Sequence, residues 1–388
     1  MHVLSVVGAR PDLAHLAALT HALGRRAGVR HVVVQTGPRH DPELGPELFA
    51  DLDIPEPQRH LGVGCGSHAT QTAAIMVGLE PVLAELRPEV TLVYGDANAA
   101  LGAALTAAKL GLACGHVDAG LRCGDWSEPE EINRVVTDRL ATLLFAPSHE
   151  AADNLAREGA ARERVHVVGN VAIDSVCAAL RAIPASDAAA RLAGSAPYVV
   201  VTLEWSNNVG DPDVLAELWR TLAYLARQRP VLCVTSPRTR ERIGALGIRR
   251  PPAPPGAGLR LLDPLGYTGL TALVAGAELV ITDSGALQDV TTFLGVPCLT
   301  VRPNTARPLT CAQGTNRLVP ARGDRVLDAA ERALARRSPA RPLIEGWDGR
   351  AAERIAQVIC DAEGGNDVSL DSAGAPFAGA LAQPLGIG

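Results

Sequence analysis

Lysine is almost missing from this chain: Lys109 is the only one, and it lies in the alanine-rich stretch TAAKLG. A nucleotide-binding P-loop is thereby excluded, because no lysine follows a glycine loop to reach a phosphate. A pyridoxal enzyme would have to build its Schiff base on Lys109, in the middle of a helical pattern. Histidine is absent beyond His166, so the second half of the chain supplies no imidazole to any site. Aromatic residues make up 3% and the formal charge is -6 without a basic stripe, which argues against nucleic acid as a partner. No apolar run reaches the roughly 18 to 20 residues of a membrane span. The opening MHVLSVVGARPD reads as a strand and not as a basic leader, so a cytoplasmic location with no membrane partner is expected. Eight cysteines are scattered without a C-x-x-C pair, which disfavours a zinc ribbon or a dithiol motif; most should be reduced and buried.

What is present is an α/β rhythm. With 388 residues and 47% hydrophobic side chains the chain is long enough for two domains with real cores. Short β-branched runs alternate with longer helical patterns, the signature of parallel sheets built from βαβ units. The first half gives strands at HVLSVVG, HVVVQTG, VTLVYGD, GHVDAG, LLFAPS and VHVVGN; the second restarts with YVVVTLEW, PVLCVTS, GLRLLD, ELVITDSG and PCLTVR. In PDLAHLAALTHALGRR, Leu13, Leu16, Leu19 and Leu23 recur on one helical face, which predicts core. The expected division is a Rossmann-like domain over 1–172 and a second over 173–345, a helix over about 346–363 returning to the first, and a mobile tail over 364–388. A linker-like stretch at 184–197 and a proline-rich loop at 249–258 complete the outline.

Polar groups gather where strands end. His116 to Arg139 packs six carboxylates and three arginines between an apolar strand and a helix, and Asp118 follows the apolar run Leu110 to Val117 directly. Gly8-Ala-Arg10-Pro-Asp12, Gly95-Asp96 and Asp283-Ser284-Gly285 stand at other strand ends. In doubly wound sheets these ends share one edge and border a cleft. Ser284 is placed to cap a helix carrying Leu287, Val290 and Phe293, whose first N–H groups would receive a phosphate. Arg10 and Arg307 are the matching anion candidates, since a guanidinium grips phosphate oxygens bidentately. A capped helix and two surface ion pairs account for each of these residues alone; their combination favours an anionic, nucleotide-activated small molecule held between the domains.

The chain resembles the non-hydrolysing UDP-N-acetylglucosamine 2-epimerases, in order and along nearly its whole length. VVGARPD is similar to that family's G-T-R-P-E, VVVQTGPRHD to its T-G-Q-H segment and VYGDANA to its G-D-T. HVDAGLR looks like H-V-E-A-G-L-R, followed by PEEINR, VVGNVAID, TDSGALQD, NTARP and the closing WDGRAAERI. The resemblance implies two Rossmann-like domains with a cleft between them in the glycosyltransferase-B architecture, and a homodimer. It also implies a reaction without metal or cofactor: proton abstraction at sugar C2, anti elimination of the nucleotide to a glycal, and re-addition with protonation on the other face. The implied acid/base residues are Asp96, Asp118 and Glu130. Arg10, Arg134, Ser284, Gly285 and Arg307 match positions that bind the nucleotide or order the site.

Several positions depart from the family pattern. The family's H-R-R-E-N is Glu204-Trp205-Ser206-Asn207-Asn208, which puts Glu204 where a substrate histidine stands. His15 replaces a lysine, Ala286 the second glycine of D-S-G-G, Val290 a ribose-clamping glutamate and Leu270 a phenylalanine near the base; Asp118 is one methylene shorter than glutamate. The expectation is therefore a sugar-nucleotide 2-epimerase-like enzyme whose substrate is not UDP-N-acetylglucosamine. The alternatives are a hydrolase in which Glu204 activates water, and a sugar-phosphate binding protein without turnover.

Overall fold

Two parallel sheets, each organised around its own first strand, carry the chain in a computed structural model that describes residues 1–39, 44–182, 197–247, 257–335 and 341–364. The first sheet runs in the order β3-β2-β1-β4-β5-β6-β7. Its strands are His2–Val7 (β1), Arg30–Gln35 (β2), Arg59–His60 (β3), Val90–Tyr94 (β4), Cys114–Val117 (β5), Leu143–Ala146 (β6) and Val165–Val167 (β7). The second has the order β10-β9-β8-β11-β12-β13, from Val199–Thr202 (β8), Pro230–Val234 (β9), Gly258–Leu262 (β10), Leu279–Thr282 (β11), Cys298–Thr300 (β12) and Asn316–Leu318 (β13). The strand order reverses beside β1 and again beside β8. At such a switch point neighbouring crossovers run to opposite faces and a crevice opens beyond the carboxyl ends of the strands.

Every strand read from the sequence is found; β3 and β13 were not read. Both are outermost and two or three residues long, and lack a β-branched run. Pairing with β2 and β12 defines them, through Val34 with Arg59 and Cys298 with Asn316, and not their own composition.

The helix Asp12–Gly24 buries Leu13, Leu16, Leu19 and Leu23 as its periodicity requires. Each fully buried leucine contributes about 1.5–3 kcal/mol of transfer free energy. Those leucines share a cluster with Ala351, Ala352, Ile355, Ala356 and Ile359 of the helix Ala351–Gly364, so the end of the described chain completes the core of its beginning. The Asp174 carboxylate accepts from the N–H groups of Ala351 (3.1 Å) and Ala352 (3.0 Å), filling the open donors of that returning helix. The second sheet has a core of its own around Val199, Trp219, Val231, Leu279 and Ile281. The expected linker at 184–197, most of the proline-rich loop and the tail beyond 364 lie outside the described residues, apart from Pro197, Ala257 and Gly258.

None of the eight cysteines is in a disulfide bond. Only Cys114, Cys233 and Cys298 are fully buried, while Cys65 and Cys311 are exposed, so the expectation of mostly buried thiols is corrected. Among the described residues no helix is long and apolar enough to cross a membrane.

Candidate active site in the interdomain cleft

The carboxyl ends of both sheets face each other across a cavity of about 190 Å³. From the first sheet's side it is lined by His15, Asp96, Asp118, Glu130 and Arg134. From the second come Ser284, Gly285, Ala286 and Arg307. These residues lie far apart in sequence and meet because both switch points open onto one crevice.

Asp118 sits at the centre. Its backbone is left-handed (φ 70°), a conformation aspartate tolerates better than most residues, and Gly120 after it is also left-handed (φ 83°). A Cβ on Gly120 would meet the Ala151 carbonyl oxygen at 2.2 Å, so only glycine permits this turn. The turn aims the carboxylate at two cations: Oδ2 lies 3.3 Å from Nε2 of His15 and 3.3 Å from Nη2 of Arg307. Burial alone would raise the Asp118 pKa, but the His15 and Arg307 charges outweigh it and hold the group at about 2. Burial pushes His15 down, and its pairing with Asp118 overcomes this and leaves it above its ordinary value. Arg307 turns its Nε to Asp289 at 2.7 Å, so one guanidinium joins a carboxylate of each domain.

The PEEINR spacing explains the next group. Pro129 starts the helix Pro129–Leu140, and Glu130, Glu131 and Arg134 follow within one turn and a half. Glu130 lines the cavity, while Glu131 turns away and accepts from the N–H groups of Cys123 (3.1 Å) and Gly124 (2.8 Å) and from Nε of Arg134 (2.9 Å). Arg134, steadied in this way, pairs through Nη1 with Asp96. Asn133 holds the Asp96 backbone carbonyl at 2.8 Å. Behind them the buried Asp138 accepts from His116 (2.6 Å), Arg122 (2.7 Å) and the Gly120 N–H (3.0 Å), which fixes the 118–122 loop. The carboxylate that positions Arg134 is thus the second glutamate of the motif; the sequence reading singled out only the first.

On the opposite wall the helix Gly285–Leu294 points its N-terminus at the cavity. Ser284 stands at the N-cap with an extended backbone, but its hydroxyl makes no cap hydrogen bond, which corrects the expectation that it caps this helix. The first N–H groups are left for an anion. A Cβ on Gly285 would lie 2.8 Å from Nη1 of Arg307, so glycine lets the guanidinium lie against the helix start. Asp283 is buried and organises the neighbouring loop, accepting from the Glu204 N–H (3.0 Å), the Trp205 N–H (3.0 Å) and Asn208 (2.9 Å).

Three expected site residues do not line the cavity. The Arg10 guanidinium crosses to the other domain and donates to the Leu265 carbonyl. Leu270 is packed against the second-domain core around Leu273 and Val290. Glu204 accepts from the N–H (2.8 Å) and hydroxyl (2.7 Å) of Ser236 and from the Thr239 hydroxyl (2.7 Å), satisfying the start of the helix Pro237–Ala245. An interdomain clasp went unread: Arg302 lies 3.1 Å from Glu128 and 4.4 Å above the Trp205 ring, and all three line the cavity. Its signal was available, since Arg302 ends a strand run just as Arg10 does.

Among the described residues no three His, Cys, Asp or Glu side chains stand together as a metal site. The donor set is instead one of carboxylates, the guanidinium groups of Arg134, Arg302 and Arg307, an imidazole and a helix N-terminus, suited to moving a proton beside a departing anion.

The profile of the family described as UDP-N-acetylglucosamine 2-epimerase matches residues 21–360. The chain belongs to that family. As a member of the UDP-N-acetylglucosamine 2-epimerase family it is an isomerase of the nucleotide-sugar 2-epimerase type with two Rossmann-like domains in the glycosyltransferase-B architecture. The UDP-N-acetylglucosamine 2-epimerase of Methanocaldococcus jannaschii is 31% identical over 92% of this chain and 99% of its own length. The UDP-2,3-diacetamido-2,3-dideoxy-D-glucuronate 2-epimerase of Pseudomonas aeruginosa is 32% identical over 92% and 99%. The crystal structure of the M. jannaschii enzyme in complex with UDP-GlcNAc and UDP is similar with a TM-score of 0.83 at 30% identity, covering 93% of this chain and all of that one.

Proposed function

We propose that this family member epimerises a nucleotide-activated sugar at C2 and that its substrate differs from UDP-N-acetylglucosamine. One observation carries the reading: Asp96, Asp118 and Glu130, from three separate elements, meet in one cleft opposite a helix N-terminus and Arg307. Removing a proton from one face of a sugar and returning it to the other requires carboxylates on two sides, and a leaving diphosphate requires positive charge. In this proposal Asp118 and Glu130 exchange the proton, Asp96 on Arg134 orders the sugar, and Arg307 with the N–H groups of Gly285 and Ala286 receives the diphosphate. The changed substrate rests on the departures at His15, Glu204, Leu270, Ala286 and Val290. Relatives named for a neutral hexosamine and for a uronate are about equally similar, so both sugar classes belong in the test.

Incubation with a panel of nucleotide sugars in deuterated water should place deuterium at C2 of one of them and interconvert its epimers. No exchange with any member would remove the proposal. The hydrolytic alternative has no observation in its favour, because the Glu204 carboxylate meant to activate water is engaged by Ser236 and Thr239.

We also infer a homodimer. The helix His68–Leu86 leaves Val77 exposed (74%) and, with Met76, Leu101 and Ile132, borders an apolar surface groove; a dimer mass in sedimentation is the expected result. Eight cysteines with no disulfide among them suit the reducing cytoplasm inferred for it, which localisation of the tagged chain would check.

A further inference from the structure

We propose that His15 is a positioning residue that sets the proton affinity of Asp118, keeping this carboxylate a weak base while the imidazole is charged and releasing it as an effective base when the imidazole loses its proton. The proposal rests on the C2 epimerase reading above and deepens it.

The geometry is that of one oxygen under two cations. Oδ2 of Asp118 is 3.3 Å from both Nε2 of His15 and Nη2 of Arg307. Among the described residues no group holds Oδ1, and Asp118 lines the cavity, so that oxygen is the one left for substrate. A carboxylate held at about 2 is poorly matched to taking a proton near neutral pH. One of the two cations must therefore be relieved. Arg307 cannot lose its proton and is tied to Asp289 at 2.7 Å. His15 is the cation that titrates near neutrality. The family resemblance puts a lysine at this position, and a lysine would stay charged throughout the working range.

The surroundings direct the titration to Asp118. His15 is 5% exposed; among the described residues its Nδ1 is buried with no partner and its Nε2 meets Asp118 at 3.3 Å as an ion pair without hydrogen-bond geometry, so no hydrogen bond to another residue fixes its tautomer. On its own helix Asp12 is the other charge; it accepts from the Gly8 and Ala9 N–H groups at 3.0 and 2.9 Å, and burial raises it to about 6. The Tyr94 ring lies 6.3 Å away with its hydroxyl on Ser5 at 2.6 Å. From the helices packed behind, Asp174 is turned to the Ala351 and Ala352 N–H groups, and Glu353 to Arg25 and Arg350.

The test compares wild type, His15→Gln and His15→Lys with whichever nucleotide sugar the panel identifies, reading C2 deuterium exchange and epimer formation between about pH 5 and 9. In wild type the rate should rise about tenfold per pH unit and level off above a midpoint higher than the ordinary histidine value. His15→Gln should move that midpoint down by more than about one unit toward the carboxylate range. His15→Lys should remove it from the range and leave the enzyme at least about tenfold slower at pH 8. A midpoint unchanged in His15→Gln would assign the limb to another group, Asp12 being the nearest, and overturn the proposal while the epimerase reading stands. Absence of exchange in wild type would remove both. Independently of turnover, the His15 imidazole followed by NMR should titrate at lower pH in Asp118→Asn than in wild type; equal midpoints would also overturn the coupling.

Discussion

The two edges that face each other across the cleft are built differently. On the first-sheet edge the acids around the reacting pair have charged or backbone partners: Asp96 has Arg134, Glu131 the loop at 123–124, and Asp138 has His116 and Arg122, while Glu130 lines the cavity with no hydrogen bond or ion pair among the described residues. On the second-sheet edge the acids serve the scaffold, Asp283 holding the Glu204–Asn208 loop and Asp289 holding Arg307, while a helix start is left open. Proton transfer demands side chains fixed to a fraction of an ångström, which takes dedicated supports. An anion can be received by backbone N–H groups whose placement any helix supplies. The departures expected from the family resemblance fall on both edges, at Glu204, Leu270, Ala286 and Val290 on the second and at His15 and Asp118 on the first, and none of them falls on the supporting pairs Asp96–Arg134 and His116–Asp138.

The strongest way to break this division is Glu130→Gln. It should slow C2 exchange by about 10²–10⁴-fold, with the fold intact by circular dichroism; a change under about threefold would take Glu130 out of the chemistry.

Next comes Arg307→Ala, which leaves Asp118 and Asp289 buried without their shared guanidinium. It should cost about 3–5 kcal/mol of stability at neutral pH, measured by urea unfolding, and the loss should shrink as the pH falls and the stranded carboxylates protonate. An equal loss at pH 7 and pH 4 would show that Arg307 contributes packing and not charge pairing.

Asp118 and Asp12 sharpen the comparison within one edge because their linkage signs are opposite. Asp118 is held at about 2, below its unfolded value of 3.8, so its contribution of about 2 kcal/mol is present above that unfolded value and is lost as pH falls toward 2. Asp12 is raised to about 6, so the folded state binds its proton more tightly and loses stability as pH rises from about 4 through 6. Both N–H groups at Asp12 bond the same oxygen, Oδ2, which asparagine can keep. Asp12→Asn should therefore raise stability at pH 7 by about 1–3 kcal/mol and flatten the rise in melting temperature between pH 7 and pH 4; an unaltered slope would assign that linkage elsewhere.

The smallest effect is expected at Glu204→Gln. The amide oxygen can keep the Ser236 N–H while its NH2 donates to the Ser236 and Thr239 hydroxyls, which can turn to accept, so turnover should stay within about threefold and stability within about 1 kcal/mol. A hundredfold loss of turnover would return Glu204 to the chemistry.

Much of this architecture was legible because its determinants are local. Leu13, Leu16, Leu19 and Leu23 repeat at helical spacing, the β-branched runs end at Asp96, Asp118 and Ser284, and PEEINR sets its own helix start and the distance from Glu130 to Arg134. Periodicity and strand ends follow from backbone geometry, so those residues reported their positions before any fold was known. Tertiary structure alone decided which polar ends meet. Arg10 and Arg302 both end strand runs, yet one reaches the Leu265 carbonyl and the other clasps Glu128 while lying over the Trp205 ring, because packing one domain against the other selects the partner. The same holds for the two cations on Asp118: His15 and Arg307 are far apart in sequence and acquire their electrostatic meaning where the two sheets close on one carboxylate.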